Sequence, residues 1–332
     1  MPQANTLETY DNSTMIKDDL SEAYSIITPE EVPFQNAIGV GGSADSTYVE
    51  WAVVDLQEPD APNREVEGVE TVPNDDPTLG LRMGNYTQIS DKVVAVSHTS
   101  EAVDAYAENI QRLTRQMALK LREMKRDMEV MLLSNLPADA GGSGTPRVAA
   151  GFATWLRTNV ILGAGGAAPT LSGTDRGYPD SGVDPGTAHD FLEEDLNDII
   201  QQSWESGAEP TILMVNGNNK RILSQTFTGN STRYKDAIDR RLISAVDVYT
   251  SDFGEVTVVP NRFLPTIDDT YSIYAIDPNF AEVVFLEGPR NKPLAETGHA
   301  HRRMIWAEYT LKVHNEAAHG AIHGTNGVMP TP

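Results

Sequence analysis

One helical pattern, from residue 99 to residue 135, constrains the fold of this 332-residue chain more than any other feature. Its apolar side chains recur at steps of three and four, which keeps them on one face of an α-helix over about eight turns. Thr99 and Ser100 are natural N-cap residues, and Glu101 lies near the positive end of the helix dipole. At about 1.5 Å per residue the pattern predicts a helix roughly 50 Å long. The apolar positions are Val103, Tyr106, Ile110, Leu113, Met117, Leu121, Met124, Met128 and Met131.

Two arrangements would bury such a stripe, a coiled coil or a single helix lying across a sheet. Coiled coils favour leucine and isoleucine at the buried positions, whereas this stripe is rich in methionine. The basic residues of the segment are matched by acids, which favours ion pairs along the helix over a nucleic-acid-binding patch. The sequence therefore predicts one long helix on a sheet. The basic residues are Arg112, Arg115, Lys120, Arg122, Lys125 and Arg126.

A pair of β-rich segments precedes the helix. Val49, Trp51 and Val53 alternate with their neighbours within residues 47–56, and this period of two predicts a strand. Residues 86–97 are also β-rich and are the predicted partner. The connection of about thirty residues between them is rich in proline, glycine and acids, and such long connections usually carry function. Because an isolated hairpin is marginally stable in water, we expect this one to pack against something else, such as another subunit.

The rest of the chain mixes short helices with strands. Residues 1–46 are expected to form an extended arm, and the glycine-rich residues 136–188 a loop-dominated stretch. Strands without regular β-α-β alternation predict an α+β fold. The other predicted elements are a helix over 188–206 capped by Thr187 and ended by Gly207, a strand in 211–217, a helix in 218–227, two strands within 245–261 around a turn at 251–254, a strand pair within 271–288 that turns at 277–279, and a long strand over 302–314 with Ile305, Ala307, Tyr309, Leu311 and Val313 on one face.

Composition excludes several classes of protein. The chain has no cysteine, which removes disulfide bonds, thiol catalysis and cysteine-ligated zinc. Its 48 acidic and 25 basic residues give a net charge of -23, and such a surface repels nucleic acid and anionic membranes. The sequence contains no apolar run of about 18 residues, so no transmembrane helix is predicted. Its first residues do not have the pattern of a signal peptide.

The segment YTSDFGEVTVVPNRFLP, residues 249–265, has the composition that most resembles an active site. Asp252, Glu255 and Arg262 lie within an apolar frame, as they would in a carboxylate-dependent hydrolase. The same residues also suit the turn and rim of a structural hairpin. No Gly-x-Ser-x-Gly elbow and no convincing Ser-His-Asp order accompany them. The residues alone leave both interpretations open.

Five of the seven histidines lie close together near the C-terminus. Metal sites on helices commonly use two histidines four residues apart, but His314 and His319 are five apart and lack the adjacent glutamate of metalloproteases. We therefore expect these histidines to serve as polar surface or interface residues, and we predict no metal ligand. The five are His299, His301, His314, His319 and His323.

Two further patterns resemble ligand sites only superficially. The sequence GAGGAAP, residues 163–169, has the glycines of a phosphate-binding loop but not its lysine, so a flexible loop is predicted. The acidic groups do not form the pattern of a calcium-binding loop and are expected to be solvated surface. We therefore predict no catalytic, cofactor-binding or metal-binding residue and no cofactor. The acidic groups are Glu30 and Glu31, Asp75 and Asp76, and Glu193, Glu194 and Asp195.

The order of the predicted elements, together with six short stretches, resembles the major capsid proteins of tailed bacteriophages, which share the Hong Kong 97-like coat fold. The resemblance covers roughly residues 20–324. Each stretch is moderately specific, and their occurrence in the right order makes the resemblance persuasive. The stretches are VPFQNAIG, YVEWAVVDL, NYTQISDKVVAVSHTSEAV, MKRDMEVMLLSN, YTSDFGEVTVVPNRFLP and AETGHAHRRMIWAEYTLKVHNEAAHG.

The resemblance implies a division of the chain into parts with separate roles. The E-loop would reach over a neighbouring subunit, so we expect deletion of residues 57–84 to leave a folded protein that cannot assemble. The axial domain would gather around five-fold and six-fold axes. The implied parts are an N-terminal arm at 1–46, the E-loop at 47–98, a peripheral domain at 99–188 and 300–324 with a spine helix at 99–135, an axial domain at 189–299, and a tail at 325–332.

The resemblance also implies a function. The chain would be a non-enzymatic structural protein that self-assembles through hexamers and pentamers into an icosahedral head, enclosing double-stranded DNA without binding it specifically. It would reside in the virion after assembly in the cytoplasm of the bacterial host, without membrane contact. Because the E-loop begins near residue 47, a separate scaffold protein is expected, together with a portal and room for a cement protein.

Two alternatives remain beside the capsid interpretation. One is an encapsulin-like nanocompartment shell of the same fold, and the other is a carboxylate-dependent hydrolase. In a capsid, Asp252, Glu255 and Arg262 would orient a loop or bridge subunits rather than perform chemistry.

Overall fold

The computed structural model of the protein describes residues 31–54, 79–102, 112–173, 176–227, 247–296 and 298–329, with isolated positions between 56 and 68 and two short strands between 234 and 243. Several predictions fall partly outside the described residues. They are residues 1–30 of the N-terminal arm, most of the connection between 55 and 78, residues 103–111 of the long helix, and the end of the tail at 330–332.

Five helices and sixteen strands form in the described part of the chain. The helices are α1 (Pro33–Ile38), α2 (His98–Ala102), α3 (Arg112–Leu132), α4 (Glu193–Glu205) and α5 (Gly217–Thr226). The strands are β1 (Val40–Ser43), β2 (Tyr48–Val53), β3 (Leu81–Tyr86), β4 (Gln88–Ser97), β5 (Val160–Ile161), β6 (Leu171–Gly173), β7 (Arg176–Pro179), β8 (Ile212–Val215), β9 (Tyr234–Asp236), β10 (Arg241–Ile243), β11 (Val248–Ser251), β12 (Gly254–Pro260), β13 (Tyr271–Ile276), β14 (Ala281–Pro293), β15 (Ala300–Val313) and β16 (Gly320–Thr325).

From Leu113 onwards the predicted apolar stripe lies on helix α3, which packs across β4 and β15. The described helix ends at Leu132 rather than at residue 135. The amide of Ser134 bonds to the carbonyl of Met131 at 3.0 Å, which tightens the last turn, and Pro137 then disfavours helical backbone before it. The stripe residues that are buried or packed against the core are Met117, Leu121, Met124, Met128 and Met131.

The expected ion pairs along the long helix are present on its exposed face. The ammonium of Lys120 lies 2.6 Å from the carboxylate of Glu123 on the next turn. Asp127 pairs with Lys92 of β4 at 2.5 Å, so the helix is also linked to the sheet beneath it. These groups are partly exposed, and each such pair contributes at most about 1 kcal/mol.

A fully buried acid on α3, Glu129, joins three separate elements. Its Oε1 accepts the backbone N–H of Phe34 at 2.7 Å and the side-chain amide of Asn261 at 2.8 Å. Its Oε2 accepts the backbone and side-chain N–H groups of Gln35, at 3.0 and 3.2 Å. The first amides of a helix have no partner within the helix, so Glu129 satisfies donors that α1 leaves open. It thereby fixes α1 and the residue after β12 to the long helix.

The strands form three larger sheets and a two-stranded ribbon of β9 and β10. One four-stranded sheet has the order β1-β14-β15-β4 and the other β2-β3-β7-β6, while the six-stranded sheet has the order β11-β12-β8-β13-β16-β5. Helices and mixed sheets together give the predicted α+β class. The alternation predicted for the last long strand is confirmed, because one face of β15 is buried from Ile305 to Val313. That face consists of Ile305, Ala307, Tyr309, Leu311 and Val313.

The predicted pairing of residues 47–56 with residues 86–97 is wrong. Strand β2 pairs instead with β3, from Tyr48 opposite Tyr86 to Val53 opposite Leu81. Strand β4 pairs with β15 over ten residues, because the fourteen residues of β15 offer a longer ladder than the six of β2. Met83 of β3 is buried in the core, so a deletion of residues 57–84 would remove a structural strand and is too long.

Residues 271–288 do not form the predicted strand pair. The turn at Asp277 is present, and the side chain of Asp277 accepts the amide of Asn279 at 3.0 Å. The short 3-10 turn at Pro278–Phe280 passes the chain from one sheet to another. Strand β13 pairs with β8 and β16, whereas β14 pairs with β1 and β15. Strand β14, from the implied segment 189–299, therefore lies in the four-stranded sheet with β15. Strand β16, which belongs almost entirely to the implied segment 300–324, lies in the six-stranded sheet.

Helix α4 begins at Glu193, so the predicted cap at Thr187 is wrong. Residue His189 bridges to the end of β16 in an extended conformation, with its amide bonded to the carbonyl of Gly324 at 2.9 Å. The helix starts only after this bridge, and Asp195 accepts the amide of Leu192 at 3.0 Å. Its end is as predicted, since Gly207 has the positive φ of 88° typical of a residue that follows a helix.

The glycine cluster at residues 163–169 is a packed turn and not the predicted flexible loop. The amide of Gly163 bonds to the carbonyl of Pro185 at 2.9 Å, and Ala167 bridges to Asp184. A Cβ on Gly163 would lie 1.9 Å from the carbonyl oxygen of Thr187. The glycine is therefore required by the close approach of two backbones.

Two hydrophobic cores follow from this arrangement. The first lies under α3 and the β1-β14-β15-β4 sheet, and its large fully buried side chains include Trp155, Tyr274, Tyr309, Phe34 and Phe152. The second lies between α4, α5 and the six-stranded sheet, around Phe191 and Ile199. The six-stranded sheet contributes to both cores, with Met214 and Tyr274 in the first and Leu213 and Ile273 in the second.

Candidate functional site

Asp252 and Glu255, the acids of the hydrolase hypothesis, do not lie close to its base, Arg262. Asp252 and Glu255 lie exposed at the hairpin turn between β11 and β12, while exposed Arg262 follows the far end of β12. From Glu255 to Pro260 the strand spans about 17 Å at roughly 3.4 Å per residue. The structure therefore does not assemble a carboxylate site from these residues. Pro260 lies at the end of its strand, as predicted.

The same hairpin is held in place by aromatic contacts with α4. The ring of Phe253, in the turn, stacks on Trp204 of α4 with centroids 5.3 Å apart. The hydroxyl of Tyr249 donates to Asn197 at 2.9 Å, and burial of this group raises the pKa of Tyr249. Trp204 nevertheless remains 51% exposed. The hairpin and helix thus form a firm surface with an apolar centre.

A second exposed apolar surface lies at the base of the long connection. Leu56 is 88% exposed, Leu79 76% and Val54 57%, although the neighbouring strand β3 buries Met83 in the core. Monomeric proteins rarely leave several large apolar side chains together in water. These three residues, here called the loop-base leucine surface, are therefore a candidate contact with another chain.

The C-terminal histidines separate into buried and accessible groups. His319 and His323 are almost completely buried, and burial lowers the pKa of His319 to about 4 and that of His323 to about 3. The ring nitrogen Nδ1 of His323 lies 2.8 Å from the hydroxyl of Ser272. Nδ1 of His319 accepts the backbone amide of Asp277 at 3.3 Å. Both histidines are core residues rather than the predicted polar surface.

Lowering the pH from 7 to 5 is expected to reduce the free energy of unfolding by about 2 kcal/mol for each of these two histidines. Their folded pKa values lie below the ordinary value, so the unfolded chain takes up protons first as the pH falls. The contribution is intact above the ordinary histidine pKa and is lost as the pH falls towards the folded values. Urea unfolding of the wild type and of His323→Asn at both pH values measures it. If the free energy of unfolding of His323→Asn depends on pH as steeply as that of the wild type, the proposed contribution of His323 is contradicted.

His98, Glu296 and His301 form a cluster that the sequence did not predict. One ligand atom from each lies within 4.8 Å of the others, and Nδ1 of His301 is 2.7 Å from Oε1 of Glu296. His98 lies about 200 residues from its neighbours in sequence, which hid the cluster. The register that pairs Ser97 with Ala300 places His98 opposite His299 and diagonal to His301. A correct prediction of this strand pairing would therefore have revealed the cluster.

The remaining predicted acidic groups do not converge. Glu193, Glu194 and Asp195 form the first turn of α4, where acids stabilise the positive end of the helix. Glu31 is exposed, while Glu30, Asp75 and Asp76 lie outside the described residues.

Comparison with known proteins identifies the family. Residues 3–326 match the model of the family described as SU10 major capsid protein. The chain belongs to the SU10 major capsid protein family. A relative named "Major capsid protein", from Escherichia phage Phieco32, is 27% identical over an alignment of 332 positions, gaps included, which covers 91% of this chain and 92% of that protein.

Solved structures show that the fold is the Hong Kong 97-like coat fold. The capsid of a native GTA particle is similar with a TM-score of 0.60 at 12% identity, covering 97% of this chain and all of that one (100%). The holo-SrpI encapsulin complex from Synechococcus elongatus is similar with a TM-score of 0.56 at 11% identity, covering 98% and 99% of the two chains. At these identities the two structures establish the fold alone.

Membership of the SU10 major capsid protein family favours the structural interpretation of the hairpin. The Trp204–Phe253 contact and the exposed Leu56 and Leu79 are features of the chain's surface and do not form a catalytic site. None of the helices in the described part of the chain combines the length and the apolar character that crossing a bilayer requires.

Proposed function

We propose that the chain forms the icosahedral head of a tailed bacteriophage, assembling as hexamers and pentamers around double-stranded DNA. The observation that carries the proposal is the match to one capsid family over residues 3–326. It would act in the virion, after assembly in the host cytoplasm, as a structural protein without catalytic activity. The absence of an assembled site at Asp252, Glu255 and Arg262 supports this role over that of a hydrolase.

The sheets suggest a revised division of the chain. We assign the E-loop to β2, β3 and the connection between them, and we place β4 with α3, β14 and β15 in the peripheral domain. The axial domain then contains α4, α5 and the six-stranded sheet, including β16. In this division the loop-base leucine surface contacts a neighbouring subunit, and the Trp204–Phe253 surface faces the next axial domain of the capsomer. Many modest contacts of this kind, made at once, stabilise a closed shell.

The charge of the chain fits a container better than a DNA-binding protein. A net charge of -23 weakens attraction to phosphates, so enclosed DNA would stay free to enter and leave the head. As further partners of the head we propose a portal for DNA entry, a separate scaffold protein and a cement protein.

Electron microscopy of the purified, untagged protein is expected to show shells or sheets of capsomers. Sedimentation at several protein concentrations measures the assembled fraction, because assembly through many weak contacts rises steeply with concentration. A stable monomer at every concentration contradicts the proposal.

Nuclease treatment of particles from infected cells separates the head from a nanocompartment. Particles that protect double-stranded DNA support the phage head. Particles that contain protein cargo and no DNA support the nanocompartment alternative, which the encapsulin likeness keeps under consideration.

A further inference from the structure

We propose that His98, His301 and Glu296 bind one divalent transition-metal ion, with Zn²⁺ as the probe of choice. Nothing in the capsid role requires such a site, and it goes beyond the proposed function. The cluster joins the start of α2 to the start of β15 and the loop that precedes it, which lie about 200 residues further along the chain. An ion bound there would link the start of β15 to the start of α2, where β4 ends.

The ligand set has the chemistry of a zinc-type site. Two imidazoles and one carboxylate suit borderline ions such as Zn²⁺, Co²⁺ or Ni²⁺, whereas Mg²⁺ and Ca²⁺ prefer oxygen ligands. In a tetrahedral site with bonds of about 2.0–2.1 Å, ligand atoms lie roughly 3.3 Å apart. The ligand atoms of the cluster lie within 4.8 Å of one another, and the closest pair is at 2.7 Å. Small side-chain rotations therefore bring all three to bonding distance.

Neighbouring groups pack against the rings and orient them. The centroid of the His98 ring lies 4.5 Å from that of His299 and 4.0 Å from that of His301. Oε2 of Glu101 is 3.8 Å from Nε2 of His301. Metal-bound imidazoles usually hold a carboxylate at the second ring nitrogen, which fixes the ring. His299 therefore packs beside the His98 ring, and Glu101 is placed to orient His301.

The strand ladder holds the ligands in place before an ion arrives. The amide of His98 bonds to the carbonyl of His299 at 3.3 Å, which continues the ladder between β4 and β15 to the histidines. Side chains on the same face of paired strands are close neighbours, so the three imidazoles project together. The side chains of His301 and Glu296 are 39% and 54% exposed, which leaves an entry path from solvent.

Calorimetric titration of the EDTA-treated, untagged protein with ZnCl₂ is expected to show one ion per chain. Replacement of Zn²⁺ by Co²⁺ is expected to give the visible absorption of a tetrahedral site. Both His301→Asn and Glu296→Gln are expected to weaken Zn²⁺ affinity by about tenfold or more.

His314→Asn is the matched control, because His314 is a partly exposed histidine of the same region that lies beside Glu282 and outside the cluster. It is expected to change Zn²⁺ affinity by less than about twofold. Equal weakening by His314→Asn and His301→Asn shows adventitious surface binding and overturns the proposal. Failure to bind one ion per chain also overturns it. Circular dichroism confirms that each variant is folded, and Glu296→Gln keeps the side-chain size if a histidine variant does not fold.

Discussion

A variant in which residues 55–79 are replaced by Asn-Gly is expected to fold normally and to lose shell formation. Val53 of β2 lies directly opposite Leu81 of β3, so the hairpin can close with a short turn. The replacement leaves β3 and buried Met83 intact. It removes exposed Leu56 and Leu79, which in the proposed head contact a neighbouring subunit. The subunit therefore keeps its core and loses one of the contacts on which closure depends.

Three measurements test this variant. Thermal unfolding is expected to stay within a few degrees of the wild type, because surface changes away from the core usually cost less than about 0.5 kcal/mol. Sedimentation and electron microscopy are expected to show subunits or capsomers in place of shells. A control variant with the same loop composition in scrambled order keeps the length of the connection and tests whether its sequence matters. Normal shells from the Asn-Gly variant refute the inter-subunit role, and an unfolded variant shows that the connection supports the subunit itself.

A smaller change separates the leucines from the rest of the connection. Leu56→Ser combined with Leu79→Ser is expected to raise the concentration needed for assembly by about tenfold or more, since each large apolar side chain contributes roughly 1.5–3 kcal/mol when buried. Val328→Ser, at another exposed position, is the matched control. Equal effects of the two replacements would show that general surface polarity is responsible.

The features predicted correctly are those that short segments encode by themselves. The period of two along β15 and the helical stripe ending at Met131 need no knowledge of a partner, because burial on one face repeats within the segment. The hairpin around Phe253 was equally local, since a glycine and an aspartate mark its turn. Resemblance to capsid proteins then supplied the fold family that these elements alone left open.

The errors concern partners that lie far apart in sequence. Residues 86–97 have the composition of a strand, but composition does not say whether β2 or β15 is the better partner, and the longer ladder decides. The cap predicted at Thr187 is wrong because the backbone of His189 pairs with the end of β16. That pairing keeps the chain extended, so the helix can begin only after it. His98 and Glu129 were missed for the same reason, because their partners come from elements some 90 to 200 residues away.

Glu129→Gln is expected to lower the free energy of unfolding by about 3 kcal/mol. The carboxylate accepts four hydrogen bonds from Phe34, Gln35 and Asn261, and all of these donors face an acceptor-only group. An amide in its place turns its own N–H₂ towards some of the same donors. At least one buried donor then stays without a partner, and the charge that strengthened the others is gone.

Urea unfolding measures the loss, and limited proteolysis locates it. We expect faster cleavage near residues 31–39, because α1 is attached to α3 through Glu129. Glu123→Gln is the matched control on the same helix: its partner Lys120 is partly exposed, so the expected cost is below about 1 kcal/mol. Similar unfolding midpoints for the two variants would show that the buried carboxylate is not what fastens α1 and Asn261 to the long helix. A large loss in Glu129→Gln alone, with cleavage near α1, identifies one side chain that connects the end of the N-terminal arm, the long helix and the six-stranded sheet.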